Sequence, residues 1–150
     1  FDEFVQGNNN ALTNKEKQGL ALFVKTGCTS CHNGKLLGAS SYQKFGVTAN
    51  YWDYTNSKKR DKGRFAVTAN QGDSYVFKVP SLRNVNETYP YFHDGSVEKL
   101  SDAVWIMARV QLDKDLSEED VDLIVKFLET TTGSLQVDKQ TPTPKLAQNI

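Results

Sequence analysis

The sequence predicts a mainly α-helical domain that is interrupted by a long, partly irregular insert containing a short β element. Three amphipathic segments, near residues 14–25, 96–110 and 117–130, follow the helical period. Few helical signals occur in the 47 residues between His32 and Pro80. At 38% hydrophobic composition, 150 residues suffice for one core. We therefore expect one domain over residues 1–133 and an extended, proline-containing arm over residues 134–150.

The helices carry their own start signals. The first follows a capping box formed by Thr13 and Glu16, and it is expected to span Asn14–Lys25. The second is expected over Ser96–Val110, where an apolar stripe includes Met107. The third opens with a capped first turn whose acidic side chains interact favourably with the positive end of the helix dipole. The stripe predicts that Met107 points inward.

The insert is too long and too aromatic for an ordinary connection. Residues 74–79 alternate well enough to predict one short strand. The aromatic side chains either form a satellite core or line a cofactor pocket, and the composition is compatible with both. These residues are Tyr42, Phe45, Tyr51, Trp52, Tyr54, Phe65, Tyr75 and Phe77.

Charge and hydropathy exclude two classes of partner. Basic and acidic residues both total 18, so the net charge is zero and no basic surface indicates nucleic acid. No segment approaches the roughly 20 consecutive apolar residues of a membrane-spanning helix. Because the chain begins at Phe1 rather than Met, we expect that an initiator segment was removed by signal processing or by trimming.

Both cysteines and one of the two histidines lie in the sequence Cys28-Thr-Ser-Cys31-His32. This C-x-x-C-H pattern is typical of covalent haem attachment, in which two thiols add to the vinyl groups and the histidine binds the iron. Two intervening residues allow one helical turn to bring both sulfurs to the porphyrin edge. We therefore predict one haem c attached to Cys28 and Cys31, with His32 as an axial ligand.

Three alternatives compete with haem for the same motif. A zinc site would need all of Cys28, Cys31, His32 and His93, and two of these ligands are consecutive. A thioredoxin-like redox pair would be expected in a βαβ context, which the helical pattern does not offer. A plain disulfide is compatible with an oxidising compartment.

A haem would need a second axial ligand or an open face. The remaining soft or imidazole ligands of the chain are Met107 and His93. In the absence of a haem, the methionine would be ordinary core and the histidine a hydrogen-bonded loop residue. The apolar helix favours Met107, because a thioether on that stripe can reach an iron buried against it.

Several ordered blocks resemble the C-terminal haem domain of bacterial di-haem cytochrome c peroxidases. The resemblance covers about residues 1–133. It rests on Phe77–Val85, Thr88–Ser96, Ala103–Arg109 and Gln111–Leu112, and upstream on Phe1–Phe4, Leu12–Phe23, Phe45–Gly46, Tyr51–Trp52 and Asp61–Phe65.

The resemblance implies a cytochrome c fold with one haem per domain. It implies that the present domain supplies electrons, whereas an N-terminal domain carries the peroxide-reducing haem. Met107 falls at the family's axial methionine, and His93 falls near the face between the domains. The backbone carbonyls of Thr88 and Pro90 fall at an interdomain calcium site whose remaining protein ligand belongs to the other domain. We therefore do not expect a complete calcium site in this chain.

Three further residues are expected around the haem. The Pro80 carbonyl is expected to accept the Nδ1 proton of His32, which would fix the imidazole. Arg64 and Arg83 are expected either to bind haem propionates, because a guanidinium suits a carboxylate, or to form surface ion pairs.

With both axial positions filled, one haem offers no site for peroxide. We therefore expect a single-haem electron carrier that works with a redox protein partner. The alternative is the electron-supplying half of a peroxidase that needs a second haem domain or chain. Covalent haem and the family resemblance together imply export to the periplasm of a Gram-negative bacterium.

Overall fold

The structure is a computed structural model that describes residues 1–133, so the predicted arm over residues 134–150 lies outside the described residues. Five α-helices are described: α1 Asp2–Val5, α2 Asn14–Thr26, α3 Phe65–Thr68, α4 Leu100–Leu112 and α5 Glu118–Glu129. Two strands, β1 Tyr42–Lys44 and β2 Val76–Lys78, form an antiparallel pair. The prediction of a mainly helical domain with a small β element is confirmed.

Helix α2 begins and ends as its sequence signals require. The Thr13 side chain accepts from the Glu16 backbone N–H, and the Glu16 carboxylate accepts from the Thr13 N–H at 2.6 Å. Gly27 ends the helix in the left-handed region, at φ +101°. Because glycine adopts this conformation without a Cβ penalty, α2 stops directly before Cys28.

The core forms where α5 packs against α2 and α4. Gly19 brings the backbones of α2 and α5 together, since a β-carbon there would overlap the carbonyl oxygen of Leu123. The Phe23 and Phe127 rings meet beside this approach, with centroids 5.2 Å apart. The α2–α5 crossing therefore anchors the end of α2 that leads into the C-x-x-C-H motif.

Helix α4 starts at Leu100, and the prediction of a start at Ser96 is wrong by four residues. A backbone hydrogen bond from Tyr91 N–H to the Val97 carbonyl, 2.6 Å long, holds the preceding segment in a bridge. Lys99, the residue before the helix, is extended at φ −102° and ψ 138°. A pairing between separate segments thus overrides the helical periodicity.

The single predicted strand is shorter than expected and pairs with a strand that sequence reasoning missed. In the register, Tyr42 lies opposite Lys78 and Gln43 lies opposite Phe77. The strands are only three residues long, too short for a clear alternation of apolar and polar side chains. Among residues 1–133, no helix is both long and apolar enough to cross a bilayer.

Candidate haem site

An apolar cavity of about 390 Å³ lies among α2, α4, α5 and the two strands. This volume falls within the roughly 300–1,000 Å³ of small-molecule pockets. Cys28, Cys31, His32 and Met107 all belong to its wall. The fold therefore brings the four residues predicted to attach and ligate a haem to one cavity, although Met107 is distant from the others in sequence.

The C-x-x-C-H motif forms a tight turn at the end of α2. Cys28–Ser30 is a 3₁₀ turn, and the backbone carbonyl of Cys28 accepts from the N–H of Cys31 at 3.3 Å and of His32 at 2.9 Å. These bonds hold the two thiols and the imidazole within one compact turn. This is the local arrangement that the spacing of the motif predicts.

Both cysteines are free thiols in the structure. Burial, reinforced by the neighbouring Cys31, raises the pKa of the Cys28 thiol to about 11, although its own backbone acts in the opposite direction. The thiol is therefore neutral at pH 7, as suits a sulfur in an apolar wall. A covalent thioether at this position would add no charge to the cavity.

The His32 ring is oriented by backbone carbonyl groups. Its Nδ1 lies 3.2 Å from the carbonyl oxygen of Leu37. Burial lowers the pKa of His32, while the carbonyls of Leu37 and Pro80 act in the opposite direction. Because a carbonyl can only accept, Nδ1 must carry the proton, and the lone pair then lies on Nε2. The neutral ring is thus in the tautomer that a metal-binding histidine needs.

Both candidates for the second axial ligand line the cavity. Met107 is half-buried on α4, between the buried residues Ile106 and Ala108. The His93 ring stacks on Phe77, with centroids 4.2 Å apart, and meets the Tyr51 ring edge-on at 5.4 Å. The thioether belongs to a regular helix, whereas the imidazole is held by aromatic packing in a loop.

Neither of the two arginines predicted near the propionates belongs to the cavity wall. Arg64 Nε lies 3.5 Å from Asp73, and its guanidinium lies 5.3 Å above the Tyr42 ring. Arg83 Nη2 binds Asp2 at 2.7 Å. The structure thus assigns partners to both guanidinium groups outside the cavity, and their role toward propionates stays a prediction.

Thr88 and Pro90 line the same cavity as the four residues predicted to hold a haem. The Thr88 hydroxyl donates to the Val85 carbonyl at 3.2 Å, and the peptide bond between Tyr89 and Pro90 is cis. Within residues 1–133, no group of three or more histidine, cysteine or acidic side chains is arranged to hold a metal ion. The zinc alternative therefore lacks a clustered ligand set in the described part of the chain.

The aromatic residues of the insert divide between the two roles considered for them. Phe45 and Phe77 line the cavity. Tyr51 is 0% exposed and stacks on Phe45 at 4.6 Å, while Trp52 packs against Tyr75 at 4.9 Å. The insert is thus a satellite core whose inner members form part of the pocket.

Two features of the site were given no role in the sequence analysis. One is the Leu37 carbonyl, because a backbone acceptor is invisible in residue types. The other is Gln111, whose Oε1 accepts from Gly46 N–H at 2.6 Å and whose Nε2 donates to the Lys44 carbonyl at 3.0 Å. Gln111 also lines the cavity, so α4 holds the end of β1 against it.

Known proteins with similar sequences are bacterial peroxidases. Over 133 residues the chain is 47% identical to a cytochrome c551 peroxidase of Nitrosomonas europaea, covering 89% of this chain and 39% of that protein. A cytochrome c551 peroxidase of Pseudomonas aeruginosa is also 47% identical, over 89% of this chain and 38% of its own length. The cytochrome c peroxidase Ccp of Escherichia coli is 42% identical, over 89% of this chain and 28% of its own length. The chain thus spans well under half of these relatives.

Solved structures agree on the fold. A MauG-like protein associated with microbial copper homeostasis matches with a TM-score of 0.67 and 25% identity, over 87% of this chain and 47% of its own. The diheme peroxidase BthA of Burkholderia thailandensis matches with a TM-score of 0.60 and 22% identity, over 81% of this chain and 43% of its own. No protein-family model matches the chain. By its sequence relatives, the chain is similar to one part of the bacterial cytochrome c peroxidases, as expected for a single domain of such a protein.

Proposed function

We propose that this domain is the electron-supplying half of a di-haem peroxidase. Cys28 and Cys31 would hold one haem c covalently, and His32 and Met107 would ligate its iron. The domain receives electrons from a redox protein and passes them to a second haem domain, which reduces hydrogen peroxide. The observation that carries this proposal is that these four side chains line one apolar cavity in a chain related to cytochrome c peroxidases.

This proposal reverses the order of the two functions expected from the sequence. The sequence favoured a free-standing electron carrier, with the peroxidase half as the alternative. The peroxidase relatives support the alternative more strongly, because the chain matches only 39% of the Nitrosomonas europaea protein. A partner haem domain would then occupy the remainder of the assembly.

When bound, the haem supplies a one-electron ferric–ferrous couple. The residues of the chain would orient its ligands and line its site. The Nδ1 proton of His32 is held by a carbonyl, which leaves Nε2 free to donate to iron. Met107 offers a thioether, which favours ferrous iron and a high potential. Phe77, Val104 and other apolar residues line the cavity that would hold the haem. If His32 and Met107 both ligate the iron, this domain would offer hydrogen peroxide no binding position on the metal.

His93 is assigned a role in the domain face rather than on the iron. Its ring is engaged by Phe77 and Tyr51, and a move to the metal would disrupt this packing. Calcium binding by the carbonyls of Thr88 and Pro90 is proposed only for the assembled protein, because both domains would supply ligands. Export to the periplasm is proposed from covalent haem attachment and from the family.

The test begins with the full chain produced together with a cytochrome c maturation system. We expect a red protein whose haem stays on the polypeptide after acid–acetone extraction, because thioethers resist this treatment. A colourless protein, or extractable pigment, would contradict the assignment of Cys28 and Cys31.

The second step separates the peroxidase half from the free carrier. The reduced chain is mixed with hydrogen peroxide, alone and fused to the part of the Nitrosomonas europaea peroxidase that the chain does not match. We expect slow oxidation of the chain alone and peroxide turnover by the fusion. Turnover by the chain alone would mean that an axial ligand is labile. If the fusion is inactive although both haems are loaded, and the chain exchanges electrons with a small cytochrome c, the free carrier is the better assignment.

A further inference from the structure

Three consecutive residues beyond the C-x-x-C-H motif have left-handed backbone. The φ angles are +48° at Leu37, +126° at Gly38 and +67° at Ala39. Left-handed backbone is uncommon at residues other than glycine, and it persists where the surrounding structure imposes it. This run therefore indicates that the segment is held by its neighbours rather than by its own preferences.

Hydrogen bonds join this segment to the chain just after β2. The Ala39 N–H donates to the Val79 carbonyl at 3.1 Å, and the Leu82 N–H donates to the Leu37 carbonyl at 3.1 Å. The Ser81 hydroxyl donates to the Leu36 carbonyl at 2.7 Å. The segment is thus fixed along one side by residues 79–82.

Gly38 is required for two separate reasons. Its φ of +126° is disfavoured for any residue with a side chain. In addition, a β-carbon there would overlap the Pro80 carbonyl oxygen and would lie 3.2 Å from His32 Nδ1. Gly34 makes a useful contrast, since its φ is also positive, at +71°, but a β-carbon there would meet nothing within 4 Å.

The Leu37 carbonyl connects this segment to the histidine. It accepts from the Leu82 N–H at 3.1 Å and from His32 Nδ1 at 3.2 Å. The first bond fixes the oxygen in space, so the second can orient the imidazole. The Leu37 side chain is buried in the core, which further restrains this carbonyl.

Building on the proposed function, we infer that Leu37–Ala39 is a positioning clamp for the haem-binding histidine. The Leu37 carbonyl, together with the Pro80 carbonyl that also faces the ring, holds the Nδ1 proton of His32 and so sets how strongly Nε2 donates to the iron, while the absence of a side chain at Gly38 makes this geometry possible. A stronger acceptor at Nδ1 makes the imidazole a better donor, which stabilises ferric iron. Loosening the clamp should therefore raise the reduction potential.

The test compares Gly38→Ala with Gly34→Ala in the haem-loaded full chain. Both variants place alanine at positive φ, but only the first pushes against Pro80 and His32. At a fixed solution potential, we expect the ferrous-to-ferric ratio to rise about tenfold in Gly38→Ala, which corresponds to about 59 mV for a one-electron couple. Gly34→Ala should change the ratio less than twofold.

A spectroscopic readout separates positioning from general loosening. In the ferrous protein, the Nδ1 proton of His32 should exchange with solvent faster in Gly38→Ala than in wild type, and unchanged in Gly34→Ala. Ser81→Ala provides a milder variant, because it adds no atoms and removes only the two hydrogen bonds of the Ser81 hydroxyl: the one that it donates to the Leu36 carbonyl and the one that it accepts from the Arg83 N–H. Ser81→Ala should also raise the ferrous-to-ferric ratio, by a smaller factor. If Gly38→Ala does not fold and acquire haem, the result for Ser81→Ala tests the inference in its place.

Equal shifts in the two glycine variants would overturn the inference, as would an unchanged ratio in Gly38→Ala or, where that variant does not mature, in Ser81→Ala. Haem loading of the wild type is scored separately. If the wild type holds no covalent haem, the proposed function fails; if it holds haem and the ratio does not respond, only the clamp fails.

Discussion

Gly19→Ala is expected to destabilise the domain even though alanine is the better helix former. In an open helix this change gains about 1 kcal/mol. Here the new methyl group would overlap the Leu123 carbonyl oxygen and lie 3.0 Å from the Phe127 Cβ. Overpacking of a tight core typically costs about 1–3 kcal/mol, and a backbone group yields less readily than a side chain. Taking the upper part of that range, we expect a net loss of about 2 kcal/mol.

The assay is urea unfolding followed by circular dichroism, with wild type and variant in the same state of haem loading. A lower midpoint at an unchanged slope reports lost stability rather than a changed unfolded state. Gln18→Ala is the control, because Gln18 is exposed on the same helix, and a change within about 0.5 kcal/mol is expected. If Gly19→Ala is as stable as wild type, the close α2–α5 approach is not a constraint on the fold.

Two further variants probe the ligand set and the core. Met107→Ala should abolish the near-infrared band of thioether-bound ferric haem and lower the reduction potential. His93→Ala should retain the band, as should Val104→Ala, a control in the same cavity wall. A high-spin His93 variant would instead indicate histidine ligation. Thr131→Val should lower the free energy of unfolding in urea by about 1 kcal/mol, because the buried hydroxyl lies within hydrogen-bonding distance of the Leu82 carbonyl, at 2.8 Å, and of the Leu128 carbonyl, at 2.7 Å. An equal effect of Thr132→Val, at an exposed position, would contradict this role.

An element could be predicted from the sequence when the contacts that define it lie close together along the chain. Helix α2 was predicted to within one residue, because the contacts of Thr13, Glu16 and Gly27 lie inside or next to it. The start of α4 was misplaced, because the bridge between Tyr91 and Val97 is not part of the helix pattern. Local capping is written in residue types, whereas pairing between segments is not.

The site shows the same division at the level of single atoms. The C-x-x-C-H motif predicts a role for Cys28 and His32 because the chemistry of haem attachment belongs to their side chains. Two main-chain oxygens face the His32 ring: that of Pro80, which the sequence analysis expected, and that of Leu37, in backbone of a kind that leucine rarely adopts. Neither a propensity nor a motif could indicate the Leu37 carbonyl as an acceptor. Arg83 was predicted near the propionates from its side-chain chemistry, and in the structure its ion-pair partner is Asp2.

The proposed haem ligands are anchored to the core by different parts of the fold, and this separation has a consequence. Cys28 follows the α2–α5 crossing at Gly19, His32 is held by the clamp around Gly38, and Met107 lies on α4. Distant, independent perturbations add, whereas those sharing an element couple. Gly38→Ala and Met107→Ala should therefore act on the iron through separate ligands, one raising and the other lowering the potential. Gly19→Ala should weaken the fold while leaving the sign of both effects unchanged, because it alters neither the Leu37 carbonyl nor the thioether.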